Sequence, residues 1–414
     1  FCGTEFGLFF TVDGGRKWVQ LKGDLPVINV RDLAIQKREN DLAVATFGRG
    51  IYILDDYTPL RGLQRADLDR EALLFPVKKA WMYVPSTPLG GEGPGEQGSG
   101  FYTADNPPFG AVFTWYLKDG LKTLKDEREE REKKLVEANQ PVPYPSWDDL
   151  RAEEREEAPQ IVFTIADAAG QVVRRLTGPA KAGVHRLAWD LRLPAADPVA
   201  MQERRPDWGS GPQGPLVAPG TYTVTMAKRH RGVTTPLGQP QSFETVPLGV
   251  ATLPAADRGA LLAFQNQVAD LQRAVLGAGK AADEAQARLD HLKKGLLDAA
   301  GADLALRDRA LALERQLKDL RIELEGDQTI ADRQEPTPPA IVDRVQRIVG
   351  GLWSVTSAPT KTMRDDYGFA AEAFAPWLAR LRQLVETDLA GLERAAEAAG
   401  VPWTPGRVPV WPRR

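Results

Sequence analysis

Residues Thr11–Trp18 read TVDGGRKW, and short runs of aromatic and aliphatic residues, GLFF before them and VQL after them, flank this stretch. Such runs are typical of β-strands, and Asp-Gly-Gly supplies residues that tolerate positive φ in a tight turn. The sequence therefore predicts a β-hairpin in which the Asp13 carboxylate accepts main-chain N–H groups and Trp18 packs beneath the turn. Contact between Asp13 and a ligand is the alternative interpretation.

The surrounding residues repeat a strand–turn–strand pattern. Phe1–Phe10 shows it once and Leu42–Leu54 shows it again, while Val30–Ile35 alternates like a strand and residues 36–41 (QKREND) form a polar turn. Repetition of this kind is typical of propeller blades, which need about 40–45 residues each and come four to eight to a ring. Residues 1–58 are too few for a closed ring. Because the chain also opens on Phe-Cys-Gly without Met or a signal peptide, we expect it to be the C-terminal part of a longer protein.

The spacing of Thr11, Asp13, Gly15 and Trp18 matches the pattern S/T-x-D-x-G-x-x-W and resembles the Asp-box of BNR-type β-propellers. Residues 1–56 as a whole resemble the last blades of a bacterial family of BNR/Asp-box glycosyl-hydrolase-type or sortilin (Vps10)-like propeller proteins. The resemblance implies that these four residues are structural. It also implies an extracellular or periplasmic location.

Composition narrows the class of protein. A chain of 414 residues with 43% hydrophobic and 26% charged residues predicts two or three globular domains, and the net charge of −3 argues against a nucleic-acid partner. The sequence contains no run of about 18 apolar residues, the length that would predict a membrane-spanning helix. Cys2 is the only cysteine, and the three histidines (His185, His230 and His291) are far apart, so we expect neither a disulfide within the chain, nor a metal site, nor a cofactor.

The middle of the chain predicts a second β domain over residues 59–250. Strand patterns recur at the rhythm of a β-sandwich in residues 160–166, 172–176, 184–191, 220–227 and 241–245. The stretch AGQVVRRLTG to PGTYTVTM resembles the Ig-like module of flagellar hook-capping proteins, which implies a core position for Trp189. Residues 118–158 form a charged helical insertion, either a solvated hairpin or a partner-binding arm, and residues 88–100 form a flexible Gly/Pro-rich loop.

Residues 251–400 change to a helical pattern, with apolar residues at alternating steps of three and four. We expect an antiparallel helical bundle, with breaks at Gly277–Gly279 and Gly301 and a capping box at Thr362 and Asp365 for the last helix. In the extended tail 401–414, Trp403 and Trp411 are predicted packing anchors. A homodimer through the face that carries Leu271 and Val275 is one hypothesis for how this seam is covered.

The predicted fold is thus multidomain β plus α: partial BNR β-propeller blades (1–58), an Ig-like β-sandwich with a helical insertion (59–250), an antiparallel helical bundle (251–400) and a Pro/Trp tail (401–414). We favour a non-catalytic binding or scaffold protein with a protein or glycan ligand, because no catalytic set of residues is visible. The first alternative is a glycoside hydrolase whose carboxylates lie in upstream blades, since Asp55 and Asp56 would point to opposite faces of a strand and Glu5 and Asp32 are isolated. The second is a sortilin-like receptor, although the chain has no cysteine-rich module.

Overall fold

The computed structural model describes residues 1–85, 98, 100, 104–201 and 211–411. It is a mixed β plus α structure with several sheets, and it divides into two compact units. The first unit comprises Phe1–Leu191 with Pro219–Val250, and the second comprises Arg192–Ala218 with Ala251–Arg414. The segment 192–218, which the sequence places with the sandwich, therefore belongs to the helical unit. Most of the predicted loop 88–100 lies outside the described residues.

Two small antiparallel sheets open the first unit. Their strands are β1 (Cys2–Thr4), β2 (Gly7–Phe10) and β3 (Val19–Leu21) in one sheet, and β4 (Val30–Gln36), β5 (Asp41–Thr46) and β6 (Ile51–Leu54) in the other. The predicted strands are all present. Leu8 from the first sheet and Leu42 and Val44 from the second share a buried cluster, which Tyr57 completes. Alternation along β5 buries Leu42 and Val44 on one face, as the period of two requires.

Two larger sheets form the rest of the β structure. One has the order β11-β10-β13-β14-β8 and the other the order β12-β9-β7. The strands are β7 (Ala72–Leu74), β8 (Ala80–Met82), β9 (Ala111–Leu117), β10 (Gln160–Asp167), β11 (Val172–Gly178), β12 (Gly183–Trp189), β13 (Gly220–His230) and β14 (Val233–Pro247). Among the described strands, only β14 and β8 pair in parallel. The hairpin of β13 and β14 extends well beyond the two short strands that the sequence predicts.

Aromatic side chains join the inner faces of these two sheets. The Phe113 ring lies 5.9 Å from Phe163 and 5.7 Å from Phe243, and Trp189 lies 5.5 Å from Tyr222. Trp189 is fully buried, which confirms its predicted core position. Large aromatic side chains bury much apolar area, so this cluster stabilises the packing of the two sheets.

A helical hairpin, which we call the arm, connects β9 to β10. It consists of α2 (Leu124–Glu137) and α3 (Trp147–Arg155), after the short helix α1 (Thr58–Arg61) and a 3-10 turn at Arg65–Asp69 earlier in the chain. Neither arm helix has a buried residue. Side-chain caps at Thr123 and Ser146 begin the two helices, and charged pairs hold the arm to the β13–β14 hairpin, among them Arg229 with Glu157.

The second unit is helical. Its helices are α4 (Arg258–Asp298), α5 (Leu304–Glu325), α6 (Gln328–Ala331), α7 (Ile341–Leu352), α8 (Lys361–Arg382) and α9 (Ala390–Ala398), with a π-helical segment at Gln383–Leu389. Most of their buried apolar residues belong to one cluster, and a smaller cluster forms around Phe264 and Trp353. Arg192 and Gln213 attach the segment 192–218 to the end of α7, because Arg192 donates to the Trp353 carbonyl and Trp353 donates to the Gln213 carbonyl.

The predicted break at Gly277–Gly279 is wrong, because α4 runs through both glycines without interruption, whereas the predicted break at Gly301 is confirmed, since α4 ends at Asp298 and α5 begins at Leu304. An interior glycine costs only about 1 kcal/mol relative to alanine, which the buried residues around it offset. Packing explains why a glycine occupies position 295, because a Cβ there would lie 2.9 Å from Val401 Cγ1. The glycine lets the chain after α9 approach α4 closely.

Two smaller predictions at the end of the chain are also wrong. The cap of α8 is Thr360, whose hydroxyl accepts from the Met363 amide at 3.2 Å, and the predicted Thr362 lies inside the helix. Trp403 is 62% exposed and Trp411 is 91% exposed, so neither anchors the tail. Val401, Thr404 and Arg407 are buried instead.

The apolar seam of α4 is covered within the chain. Val275 is fully buried, and Leu271 packs against the same large cluster. The hypothesis of a homodimer rested on an uncovered seam, and the structure removes that reason. Within the described residues, no helix is both long enough and apolar enough to cross a membrane.

Candidate functional site

The predicted motif at Thr11–Trp18 forms the turn between β2 and β3, which pair antiparallel. Gly14 and Gly15 have φ values of 73° and 92°, in the region that glycine tolerates best. The Asp13 carboxylate accepts the Lys17 amide at 3.0 Å and the Thr11 hydroxyl at 2.8 Å, and these bonds hold the pKa of Asp13 below its usual range. The predicted main-chain hydrogen bond to Asp13 is therefore present.

Trp18 lies beside this turn but is 47% exposed. A Cβ at Gly15 would lie 4.0 Å from the Trp18 indole nitrogen, so the ring lies near the turn without being enclosed beneath it. The four motif residues fix the hairpin and do not line the cleft described next.

A cleft of about 410 Å³ lies within the first unit. The β4–β5 turn, the chain after β6, the strand β8, residues 106–110 and the strand β12 all contribute to it. Carboxylates, cations and aromatic rings share the lining: Glu39, Asp41, Asp55 and Asp56; Arg38, Lys78, Lys79 and Arg186; Trp81, Tyr83 and Phe109. A concave site that mixes apolar rings with a few polar groups is the usual form of a ligand site.

Two left-handed residues shape the acidic side of the cleft. Asn40 has φ 58° and Asp56 has φ 46°, a conformation that Asn and Asp tolerate better than most residues. The Asp56 amide donates to Asp41 Oδ1 at 2.9 Å, and the Tyr57 amide donates to the Asn40 carbonyl at 2.9 Å. The β4–β5 turn therefore fixes the chain that follows β6, and with it the position of Asp55.

Asp55 and Asp56 do not lie on a strand, so the expectation that they point to opposite faces is wrong. Strand β6 ends at Leu54, and the positive φ of Asp56 turns the chain away from an extended path. Both residues line the same cleft. The alternation of side chains applies only while the backbone stays extended.

The Glu39 carboxylate is fully engaged by its neighbours. Its Oε1 accepts the Trp81 indole N–H at 2.8 Å and the Arg38 Nε–H at 2.9 Å, and its Oε2 accepts Lys78 Nζ at 3.2 Å. Partial burial would raise its pKa, but these donors outweigh burial and hold the pKa below the usual range. Glu39 is an ionised carboxylate that positions Trp81.

Asp55 contrasts with Glu39. In the described part of the chain its carboxyl group makes no hydrogen bond and no ion pair, and only its main-chain carbonyl has a partner, the Arg186 guanidinium at 2.8 Å. Burial, followed by the nearby Asp41 charge, raises the pKa of Asp55. A half-buried carboxyl without a protein partner is the group in this cleft that a ligand could reach.

The aromatic side chains Trp81 and Tyr83 lie on the face of β8 and its continuation that is turned away from the core. Ala80 and Met82 are buried, while Trp81 and Tyr83 point to the other face and are partly exposed. Lys79 Nζ lies 4.3 Å from the Trp81 ring centre, and Tyr83 meets Phe109 edge to face at 4.8 Å. The alternation in AWMY is the sequence signal that could have placed these two rings on one face, whereas no spacing in the sequence links Glu39, Asp55 and Arg186.

The residues that the structure describes contain no group of three or more His, Cys, Asp or Glu side chains that could hold a metal ion. Cys2 is exposed and unpaired.

No family model matches the chain, and no curated protein matches its sequence. Among solved structures, the extracellular domain of the putative hybrid two-component system BT3049 from B. thetaiotaomicron is similar at 9% sequence identity and a TM-score of 0.15. The match covers 59% of this chain and 30% of that one. A likeness at this level carries no argument about fold or function.

Proposed function

We propose that this chain is a non-catalytic recognition protein and that the cleft of its first unit binds a glycan. The observation that supports this is the combination, in one cleft, of the partly exposed rings of Trp81 and Tyr83 with the carboxyl of Asp55, which has no hydrogen-bond partner among the described residues. Sugars present C–H faces that pack on aromatic rings and hydroxyl groups that donate to carboxylates.

We also propose the finer architecture that the sequence predicts. The two small sheets are blades of a BNR β-propeller with an Asp-box at Thr11–Trp18, the larger sheets are an Ig-like module, and the helices are an antiparallel bundle. The hydrogen bonds of Asp13 and the aromatic contacts between the larger sheets support these assignments. An extracellular or periplasmic location belongs to the same proposal.

The state of the carboxylates favours binding over catalysis. Glycoside hydrolysis needs two carboxyl groups that act on the sugar. Both oxygens of Glu39 accept side-chain donors, and Asp41 and Asp56 each accept a main-chain amide through Oδ1. Asp55 alone among these four has no protein partner within the described residues.

Glycoside hydrolysis is the second candidate, and one observation favours it. The pKa of Asp55 is raised while that of Glu39 is lowered, and a pair of carboxyls whose pKa values move apart is a feature of acid–base sites. The engagement of Glu39 by three donors weighs against it, because those bonds would have to break before Glu39 could act.

Titration of the whole chain with soluble oligosaccharides, selected first on a glycan array, tests the binding function. We expect Trp81→Ala to weaken the best ligand by about tenfold through loss of ring contact, and Trp147→Ala to leave the affinity unchanged. Trp147 is a matched control because it is an exposed tryptophan on the arm, outside the cleft. Equal losses in both variants, or an array without ligands, would refute the proposal.

A further inference from the structure

We propose that the tip of the arm, residues 140–147 with the sequence QPVPYPSW, is a docking segment for a protein partner. The partner is one whose binding groove is lined by aromatic side chains and holds its ligand in the polyproline II conformation. The tip is separate from the cleft, so this inference does not depend on the proposed glycan-binding function.

The sequence of the tip restricts its backbone to the polyproline II region. Every residue from 140 to 145 either is a proline or precedes one. Proline fixes φ at about −65°, and the residue before a proline is driven to extended or polyproline II angles. Ser146, which follows, has φ −66° and ψ 153°, and these are polyproline II values. The tip is therefore already in the conformation that an aromatic-lined groove binds, which lowers the entropy cost of docking.

The tip presents its side chains and its main chain to solvent. Tyr144 is 76% exposed and Trp147 is 68% exposed, and their rings lie 6.0 Å apart. Val136 and Val142 are exposed beside them. Among the described residues, no hydrogen bond involves the main chain of residues 141–145. Single exposed apolar residues are ordinary, but several large ones in one short stretch form a patch that marks an interaction site.

The spacing of the rings matches the period of the polyproline II helix. This helix has three residues per turn, so Pro141, Tyr144 and Trp147 follow one another along a single edge. That edge carries one proline ring and two aromatic rings. Aromatic rings pack well on other rings, so a groove lined by aromatic side chains is the chemistry that recognises it.

The two arm helices fix the tip at both of its ends. After α2, Asn139 has φ 52° and the Gln140 amide donates to the Leu135 carbonyl at 2.9 Å. Before α3, the Ser146 hydroxyl accepts the Asp149 amide at 3.1 Å. Helix α2 has 14 residues and separates the tip from the base of the arm by about 21 Å. The arm thus holds the tip away from the sheets to which its base is attached.

A lipid surface is the other class of partner that exposed Trp and Tyr side chains suit, because these residues also favour membrane interfaces. The local charge weighs against it. Residues 135–150 contain Glu137, Asp148 and Asp149 but no Lys or Arg, whereas segments that bind anionic membranes carry Lys and Arg close to the surface. A protein groove is therefore the partner we propose, and lipid binding is one outcome of the test.

Isolated SH3, WW and EVH1 domains serve as probes, since their grooves are lined by aromatic side chains. Each is titrated into the whole chain by calorimetry, and we expect at least one to bind with micromolar affinity. Tyr144→Ala and Trp147→Ala should each weaken that binding by about tenfold, because aromatic anchors contribute most to such interfaces. Phe6→Ala and Trp411→Ala are matched controls, since both side chains are exposed and lie outside the arm.

Pro143→Ala tests the conformation of the tip separately from its aromatic rings. It frees φ at this position and should weaken the same domain by about threefold, through the cost of ordering the tip. Pro409→Ala, at an exposed proline of the tail, is its control. No side chain of residues 140–147 is buried, so these variants should unfold at the same temperature as the natural chain.

Three outcomes would overturn the inference. The first is that none of the domains binds the whole chain, and the second is that the tip variants and their controls lose affinity equally. The third is binding to vesicles of phosphatidylcholine and phosphatidylglycerol that Trp147→Ala abolishes, since this would assign the tip to a lipid surface. The glycan titration of the cleft is unaffected by any of these results.

Discussion

Carboxylates that are shielded from solvent occur in both units of this protein, and the two units differ in whether a cation lies beside the carboxylate. In the helical unit, Glu314 accepts Lys293 and Lys318 at 2.7 and 2.9 Å, and Glu393 faces Arg288 at 2.6 Å. In the cleft of the first unit, Asp55 has no such cation within the described residues. A buried carboxylate with a cation beside it serves the fold, whereas one without a partner costs stability and is available to a ligand.

The largest effect should come from placing a carboxylate in the helical unit without a cation. Val275 has 0% exposure, so Val275→Asp buries an unpaired charge and should prevent the helices of this unit from packing. Circular dichroism should show a major loss of helix. Leu297→Asp, on an exposed position of the same helix, should change little. A fully helical Val275→Asp variant that changes from dimer to monomer would restore the homodimer hypothesis.

The ion pairs of Glu314 should make the helical unit sensitive to acid. Hydrogen bonds from Lys293 and then Lys318 lower the pKa of Glu314 to about 2, from 4.5. A depressed pKa in the folded state adds stability above the unfolded value, and this is lost as the pH falls through the folded one. We expect the free energy of unfolding to fall by about 2 kcal/mol between pH 5 and pH 2 on this account.

Urea unfolding followed by helical circular dichroism at several pH values measures this loss. Glu314→Gln should show a shallower dependence on pH over the same window, while Glu323→Gln, which changes a more exposed ion pair with Arg380, should keep the original dependence. Identical pH profiles for the natural chain and Glu314→Gln would show that this carboxylate does not contribute.

Asp55 should show the opposite sign. Its raised pKa means that the ionised form is disfavoured in the folded chain, so stability decreases as the pH rises through the folded pKa. Asp55→Asn removes that cost and should stabilise the first unit near neutral pH by about 0.5 kcal/mol. Hydrogen exchange of β5 and β6 measures this change. Weaker protection of these strands in Asp55→Asn would mean that the carboxylate is structural, like those of the helical unit.

The smallest expected effect is in catalysis. With Glu39 engaged by three donors, we expect the purified chain to hydrolyse neither aryl-glycosides nor xyloglucan, and Asp55→Asn and Asp56→Asn to give the same background. Hydrolysis that either substitution abolishes would place this cleft among acid–base sites and favour the second candidate function.

Most of the regular structure could be predicted from periodicity. The alternation that buries Tyr222 and Val224 is visible in TYTV, and the spacing of Leu313, Leu317 and Leu320 is that of α5. The continuity of α4 could not be predicted, because the packing that compensates Gly277 and Gly279 comes from distant residues. Trp403 and Trp411 were wrongly expected to be buried, since apolar character does not reveal whether a partner surface exists.

Most of the cleft could not be predicted from the sequence, for a related reason. Glu39, Trp81 and Arg186 come together only through the pairing of strands that are far apart in the chain. Asp55 was visible, but its interpretation depended on a strand that ends one residue earlier. The left-handed conformation of Asn40 and Asp56 is a local property that the sequence permits without requiring it.

The arm differs from the long helices of the second unit in what holds it. Arg128 bridges α2 to Glu153 of α3 at 2.7 Å, and Arg229 and Arg231 reach Glu157 and Glu127 from the β13–β14 hairpin. Neither helix buries a side chain that would add apolar stabilisation. Salt at about 1 M shortens the range of such attractions to about 3 Å. Raising the ionic strength should therefore loosen the arm. It should have almost no effect on the aromatic cluster between the two larger sheets.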